Sequence, residues 1–97
     1  MARSPMNDDQ IRDALADLPG WSRQGDTIER TYTHADFRVA MGFVNFVAEI
    51  AENLGHHPDV DVRYNEVRLA VTTHDAGGLT GKDFQLARAV DGVGDDG

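Results

Sequence analysis

The sequence predicts an α+β fold in which a four-stranded antiparallel sheet carries three helices on one face, in the order α-β-β-α-β-β-α. Three observations lead there. Residues 21–33 and 60–71 alternate apolar with polar side chains about a turn, the pattern of a β-hairpin. Between them runs the longest and most apolar helical segment, from about His34 to Leu54. Shorter segments with helical spacing lie at either end. Two hairpins joined by one long helix most economically share a single sheet, and the 97 residues read as one domain spanning residues 1–97.

The first helix opens at Asn7, followed three residues later by Gln10 as a capping pair, and Ile11, Ala14, Leu15 and Leu18 form its apolar stripe until Pro19-Gly20. Trp21 begins a short strand that turns at Gln24-Gly25-Asp26 into Thr27–Thr33, with Ile28, Arg30 and Tyr32 on one face. Thr33 and Asp36 make a second capping box for the core helix. On that helix Phe37, Met41, Val44, Val47 and Ala51 form one stripe and Phe43, Phe46 and Ile50 a neighbouring one. So wide an apolar band implies burial against the sheet and against a further surface, such as a second copy of the chain. Gly55 and Pro58 stop the helix, because glycine suits the left-handed cap and proline cannot continue. Val60, Val62 and Tyr64 then share a face, a turn falls near Asn65-Glu66, and Val67, Leu69 and Val71 return. The glycine pair in the loop Thr72–Gly78 permits either a close approach to a ligand or a turn. Thr80 and Asp83 make a third capping box, opening a helix on which Leu86, Val90 and Val93 share a face. Residues 1–5 and 94–97 are expected to be flexible.

Composition excludes several classes of function. Seventeen acids against 9 bases give a net charge of −8, which repels a phosphate backbone and argues against direct nucleic-acid binding. There is no cysteine, so disulfides and thiolate metal sites are out. No apolar run reaches membrane length and the start of the chain is unlike a signal peptide, so a cytoplasmic protein with no membrane partner is expected.

The chemistry gathers at Glu52-Asn53-Leu54-Gly55-His56-His57-Pro58, a helix end carrying two imidazoles. Imidazole titrates near working pH, so two of them at a fixed corner can supply both an acid and a base. The polar stripe of the core helix places Glu52 one turn before His56, where the carboxylate and the helix C-terminus both favour a cationic ring. His74 ends the fourth strand and leads into the glycine loop, at a place the sheet can bring to the same corner. His34, in the first turn of the core helix, is expected to be solvated and uninvolved. Three histidines and a carboxylate raise the question of zinc, but adjacent histidines diverge and no HExxH motif supports them, so no metal site is expected. Nor is there a Gly-x-Ser-x-Gly elbow for nucleophilic catalysis, or P-loop spacing after Gly77-Gly78.

The arrangement Glu52, three residues, His56-His57-Pro58, five residues, Tyr64, nine residues, His74, eight residues, Asp83 resembles the signature of the pterin-4a-carbinolamine dehydratases. The likeness extends from Leu18-Pro19-Gly20-Trp21 through Ile28-Glu29-Arg30 and Asp36-Phe37 to Thr72–Leu79. It implies the same small α+β fold, assembled as a homodimer or homotetramer. It also implies dehydration of 4a-hydroxytetrahydrobiopterin to quinonoid dihydropterin in tetrahydrobiopterin recycling, with a pterin as the small-molecule substrate and no cofactor. By position His56, His57 and His74 match the catalytic histidines, with the His56/His57 corner protonating the leaving hydroxyl and His74 accepting from the ring. Glu52 would tune His56, and Trp21, Asp75 and Ala76 would border the pterin. Asp83 would orient the site or cap its helix, and Pro58 and Tyr64 would set shape. The chain departs from many members in having Val60 where they carry an aromatic residue and Gly55 where they carry an acid. The resemblance leaves two further readings open. One is a protein-interaction module on the same fold, as in relatives that partner a transcription factor; the other is a dehydratase of a different pterin pathway.

Overall fold

A computed structural model describes residues 4–96. The order is α1 (Asp8–Leu15), β1 (Ser22–Gln24), β2 (Thr27–Thr33), α2 (Phe37–Leu54), β3 (Asp59–Arg63), β4 (Glu66–Val71), a 3₁₀ turn (His74–Ala76) and α3 (Gly81–Asp96). The four strands form one antiparallel sheet in the order β1-β2-β4-β3, so the predicted fold class is the observed one. Both hairpins form, and the return strands β2 and β4 pair with each other at its centre, Ile28 opposite Val71 and Tyr32 opposite Val67.

One sheet face is apolar and covered. Ile28, Tyr32, Val67, Leu69 and Val71 meet Ala40, Phe43, Val47 and Ala51 of α2, Phe84, Leu86, Ala87 and Val90 of α3, and Ile11 of α1 in a single core. The other face carries the paired charges of Glu29 and Arg68, 3.1 Å apart. The Asn7 capping box forms as predicted, its side chain accepting from Gln10 N–H while the Gln10 side chain accepts from Asn7 N–H. Leu18 lies beyond the last turn of α1, yet it is buried.

Several local expectations are corrected. Asp36, not Thr33, caps α2, accepting from Val39 N–H, because Thr33 is still in the sheet opposite Glu66. The buried stripe of α2 is Ala40, Phe43, Val47 and Ala51, which takes Phe43, Val47 and Ala51 from the two expected stripes and adds Ala40 from neither, whereas Phe37, Met41 and Phe46 are exposed. His34 is half-buried with its ring against Phe43, the centroids 4.8 Å apart, and its buried Nε2 finds no hydrogen-bond partner among the described residues. Tyr64 is not a strand residue. It forms the two-residue turn with Asn65, at φ 52, with its side chain in solvent. α3 runs from Gly81 to Asp96, and the expectations for residues 1–3 and 97 lie outside the described residues.

Two glycines set the ends of the site. Gly55 caps α2 at φ 64 and ψ 32, a conformation that costs a residue with a side chain about 1–2 kcal/mol. Gly77 closes the 3₁₀ turn at φ 77, and Thr73 and Gly78 exchange backbone hydrogen bonds across it. A side chain on Gly78 would lie 3.1 Å from Pro5 Cβ, so the glycine pair serves a turn and a close chain contact.

Candidate active site

The register that sets Asp59 of β3 opposite Ala70 of β4 brings the chain just before β3, His56-His57-Pro58, beside the chain just after β4, Thr72-Thr73-His74. The left-handed Gly55 turns the backbone out of α2 and into that corner. α3 starts at the same place, because Thr80 precedes its first turn and Asp83 points back at it.

His56 and His57 each have their own carboxylate. His56 Nε2 lies 2.6 Å from Asp83 Oδ1, with the His56 side chain 12% exposed and that of Asp83 fully buried. His57 Nε2 is hydrogen-bonded to Glu52 Oε2, and both of these side chains face solvent. Glu52 therefore meets His57 rather than His56. Asp83 is both the expected helix cap and a partner of His56, since its second oxygen, Oδ2, accepts from Thr80 N–H at 2.9 Å and from the Thr73 hydroxyl at 2.7 Å. Through that contact Thr73, the neighbour of His74, is held to the same carboxylate as His56.

His74 and Asp75 are exposed on the 3₁₀ turn, and Ala76 and Pro58 are half-buried. One open corner thus holds an inner imidazole, whose orientation is fixed by a buried acid, and an outer imidazole on a solvent-exposed acid, with a third on the adjoining turn. Such a set can donate a proton at one point of a ligand and accept one at another. Among the described residues no three histidine, aspartate or glutamate side chains are disposed to hold a metal ion.

Trp21 is not at this corner. It is buried, and its Nε1–H donates to Asp91 Oδ1 at 3.0 Å. Asp91 lies eight residues along α3 from Asp83, about 12 Å at the helical rise. Arg30 donates to the same oxygen at 2.8 Å, and the Tyr32 hydroxyl donates to it as well. A cavity of about 360 Å³ lies beside this cluster, lined by Leu18, Gly20, Arg30, Arg88 and Asp91 among others. Its oppositely charged side chains are already engaged with one another in part, and none of the three corner histidines lines it. The three histidines thus sit at the open corner, outside the lining of this cavity. The sequence reading missed Thr73 and Thr80 as parts of the site. The Thr80 to Asp83 capping spacing was the available signal for Thr80; for Thr73 there was none beyond its place next to His74.

The family model described as pterin 4 alpha carbinolamine dehydratase matches residues 4–93. The chain belongs to the pterin-4-alpha-carbinolamine dehydratase family. A protein of Thermomicrobium roseum whose name assigns it provisionally to these dehydratases is 54% identical over 88 residues, 91% of this chain and 92% of that one. A relative named in the same way from Nocardia farcinica is 50% identical over 91 residues, 94% of this chain and 96% of that one. Among solved structures, one titled as a transcriptional coactivator/pterin dehydratase from Brucella melitensis superimposes with a TM-score of 0.90 at 31% identity, covering 94% of this chain and 99% of that one. A pterin dehydratase-like protein titled as a RuBisCO assembly factor in the alpha-carboxysome shares the fold, with a TM-score of 0.66 at 18% identity over 77% of this chain and 89% of that one. No helix among the described residues is long and apolar enough to cross a membrane.

Proposed function

We propose that this chain is a cytoplasmic hydro-lyase that removes water from 4a-hydroxytetrahydrobiopterin to give quinonoid dihydropterin in tetrahydrobiopterin recycling, using His56, His57 and His74 as general acid and base. The reaction needs a proton on the departing 4a-oxygen and loss of the N5 proton. The C4a–O bond breaks, and the N5–H electron pair becomes the C4a=N5 double bond. No electrons enter or leave, so positioned imidazoles suffice. The observation that carries this reading is the pairing of His56 with Asp83 and His57 with Glu52 at one corner, beside the turn that presents His74. The corner pair delivers the proton to the hydroxyl and His74 takes the ring proton. Asp75, Ala76 and Pro58 border the ligand, and Glu52 and Asp83 orient the rings.

The test is dehydration of freshly generated 4a-hydroxytetrahydropterin by chelator-treated protein, followed by absorbance. His57→Ala and His74→Ala should each lower turnover by about 10²-fold or more with the fold retained, as expected on losing a general acid or base. His34→Ala should leave turnover within about threefold, since its ring packs on Phe43 at the far end of α2. Wild-type rates from both the His57 and His74 variants would sink the assignment.

The exposed apolar side chains of α2 support self-assembly, as a homodimer or homotetramer. They equally suit the second reading, an interaction module of the kind named in the Brucella melitensis title. A folded oligomer without dehydratase activity would favour that second reading, or a different pterin substrate.

A further inference from the structure

Behind His56 lies a buried file of hydroxyls whose hydrogens can be ordered from the donors and acceptors alone. The Thr73 hydroxyl has one hydrogen, and it goes to Asp83 Oδ2 at 2.7 Å. In the 2.8 Å contact between the two threonine hydroxyls, Thr80 must therefore be the donor and Thr73 the acceptor. Thr80 Oγ1 in turn accepts from Lys82 N–H at 3.3 Å. The file runs one way, from the Lys82 amide through Thr80 and Thr73 to the carboxylate. With Thr80 N–H also donating to it at 2.9 Å, Oδ2 has both lone pairs engaged. Only Oδ1 is left to face His56, and an imidazole ordinarily binds a proton more tightly than a carboxylate does. The hydrogen between them thus belongs to Nε2, and Nδ1 is the ring nitrogen of His56 left to exchange a proton.

We propose that Thr73 is a positioning residue for the acid/base chemistry of His56, its hydroxyl holding Asp83 so that His56 keeps its hydrogen on Nε2 and presents Nδ1 to the ligand. Thr73, Thr80 and Asp83 are all buried, so water does not compete for these bonds. The inference rests on the dehydratase reading for its consequence in turnover, but its hydrogen-bond order can be read without substrate.

Ring ¹⁵N–¹H correlation spectra of the whole labelled chain, with His56 assigned through His56→Gln, report the tautomer directly. Wild type should show His56 protonated on Nε2 in its neutral form. Thr73→Val should mix the tautomers and lower kcat roughly tenfold while KM stays within about twofold, the scale of losing an outer-shell partner. Thr73→Ser, which keeps the hydroxyl, should restore both. A wild-type His56 protonated on Nδ1 overturns the proposal even if Thr73→Val does not fold. So does a folded Thr73→Val with wild-type tautomer and kcat, or a Thr73→Ser as impaired as the valine variant. Wild type inactive on the pterin, yet with His56 protonated on Nε2, would refute the dehydratase reading while confirming the hydrogen-bond order.

Discussion

A carboxylate with no solvent must have its lone pairs answered by protein, and Asp83 has Oδ1 against His56 and Oδ2 on Thr73 and Thr80. Removing it strands buried donors at about 1–3 kcal/mol each, so Asp83→Ala is expected to lower stability by at least about 2 kcal/mol in denaturant unfolding. Asp83→Asn keeps the size and should keep more of the fold, yet it should cut turnover roughly ten- to a hundredfold by releasing His56. Full turnover in the asparagine variant would remove this carboxylate from the mechanism. The histidine pair itself was legible because Gly55 and Pro58 mark its corner locally. Its partners were not. Asp83 is 27 residues from His56 and reaches it only when α3 packs on α2. Helical spacing assigned Glu52 to His56, but that rule lapses once Gly55 turns left-handed, and Glu52 meets His57, five residues on. Trp21 was expected at the pterin rather than on Asp91 for the same reason, since nothing near it in sequence announces Asp91, 70 residues away. Around Asp91, burial first and then the carboxylate push the Tyr32 phenol far above its ordinary value of 10.0. The neutral phenol is thus favoured in the folded chain; its contribution to stability is present below about pH 10 and is lost as pH rises and the unfolded chain ionises first. In an alkaline titration followed by phenolate absorbance, Tyr32 should ionise only together with unfolding, and Tyr32→Phe should remove that step. A Tyr32 phenolate signal from a still-folded chain near pH 10 would contradict this account.

Elements were legible where local chemistry decides them and obscure where packing does. The Asn7 capping box, the stop at Gly55 and the alternation of both hairpins rest on neighbours in sequence, and all three form. The cap of α2 did not follow the pattern because Thr33 is claimed by pairing with Glu66, leaving Asp36 to receive Val39 N–H. Nor did its buried stripe. With apolar residues on most sides of the helix, periodicity cannot say which side meets the sheet, and the answer turns on Ala40 and Ala51, small enough for close approach but weak as hydrophobic signals. Gly55 provides the test at this scale. The space where its side chain would stand is empty, so Gly55→Ala should cost only the left-handed conformation, about 1–2 kcal/mol in chemical unfolding. The variant should also misplace His56 and His57, lowering turnover by more than the loss of folded protein explains. Unchanged stability would mean that the cap relaxes to another conformation without penalty.

At the scale of the molecule, the balance lies between an acidic surface and the apolar groups left outside the core. Phe37 is 51% exposed and Phe46 60% exposed, with Val39 and Met41 beside them. By helical spacing Phe37 and Met41 flank the buried stripe of α2 on one side, and Val39 and Phe46 flank it on the other. The single core of one chain uses only the stripe between. A second copy is the economical cover for these flanks, and the net charge of −8 opposes its approach. Salt screens such repulsion over about 10 Å at 0.1 M while leaving apolar contact intact, so assembly should strengthen as salt is raised. Sedimentation should show wild type above the mass of one chain. Phe37→Glu with Phe46→Glu should reduce it to a monomer with unchanged helical circular dichroism, and the two single variants will show which flank carries the contact. The corner histidines lie at the opposite end of α2 from Phe37, so a monomeric double variant that retains turnover would place the whole reaction within one chain. Loss of turnover with assembly would mean that a neighbouring copy completes the site. A wild type that stays monomeric at every salt concentration would leave the exposed phenylalanines to a different partner.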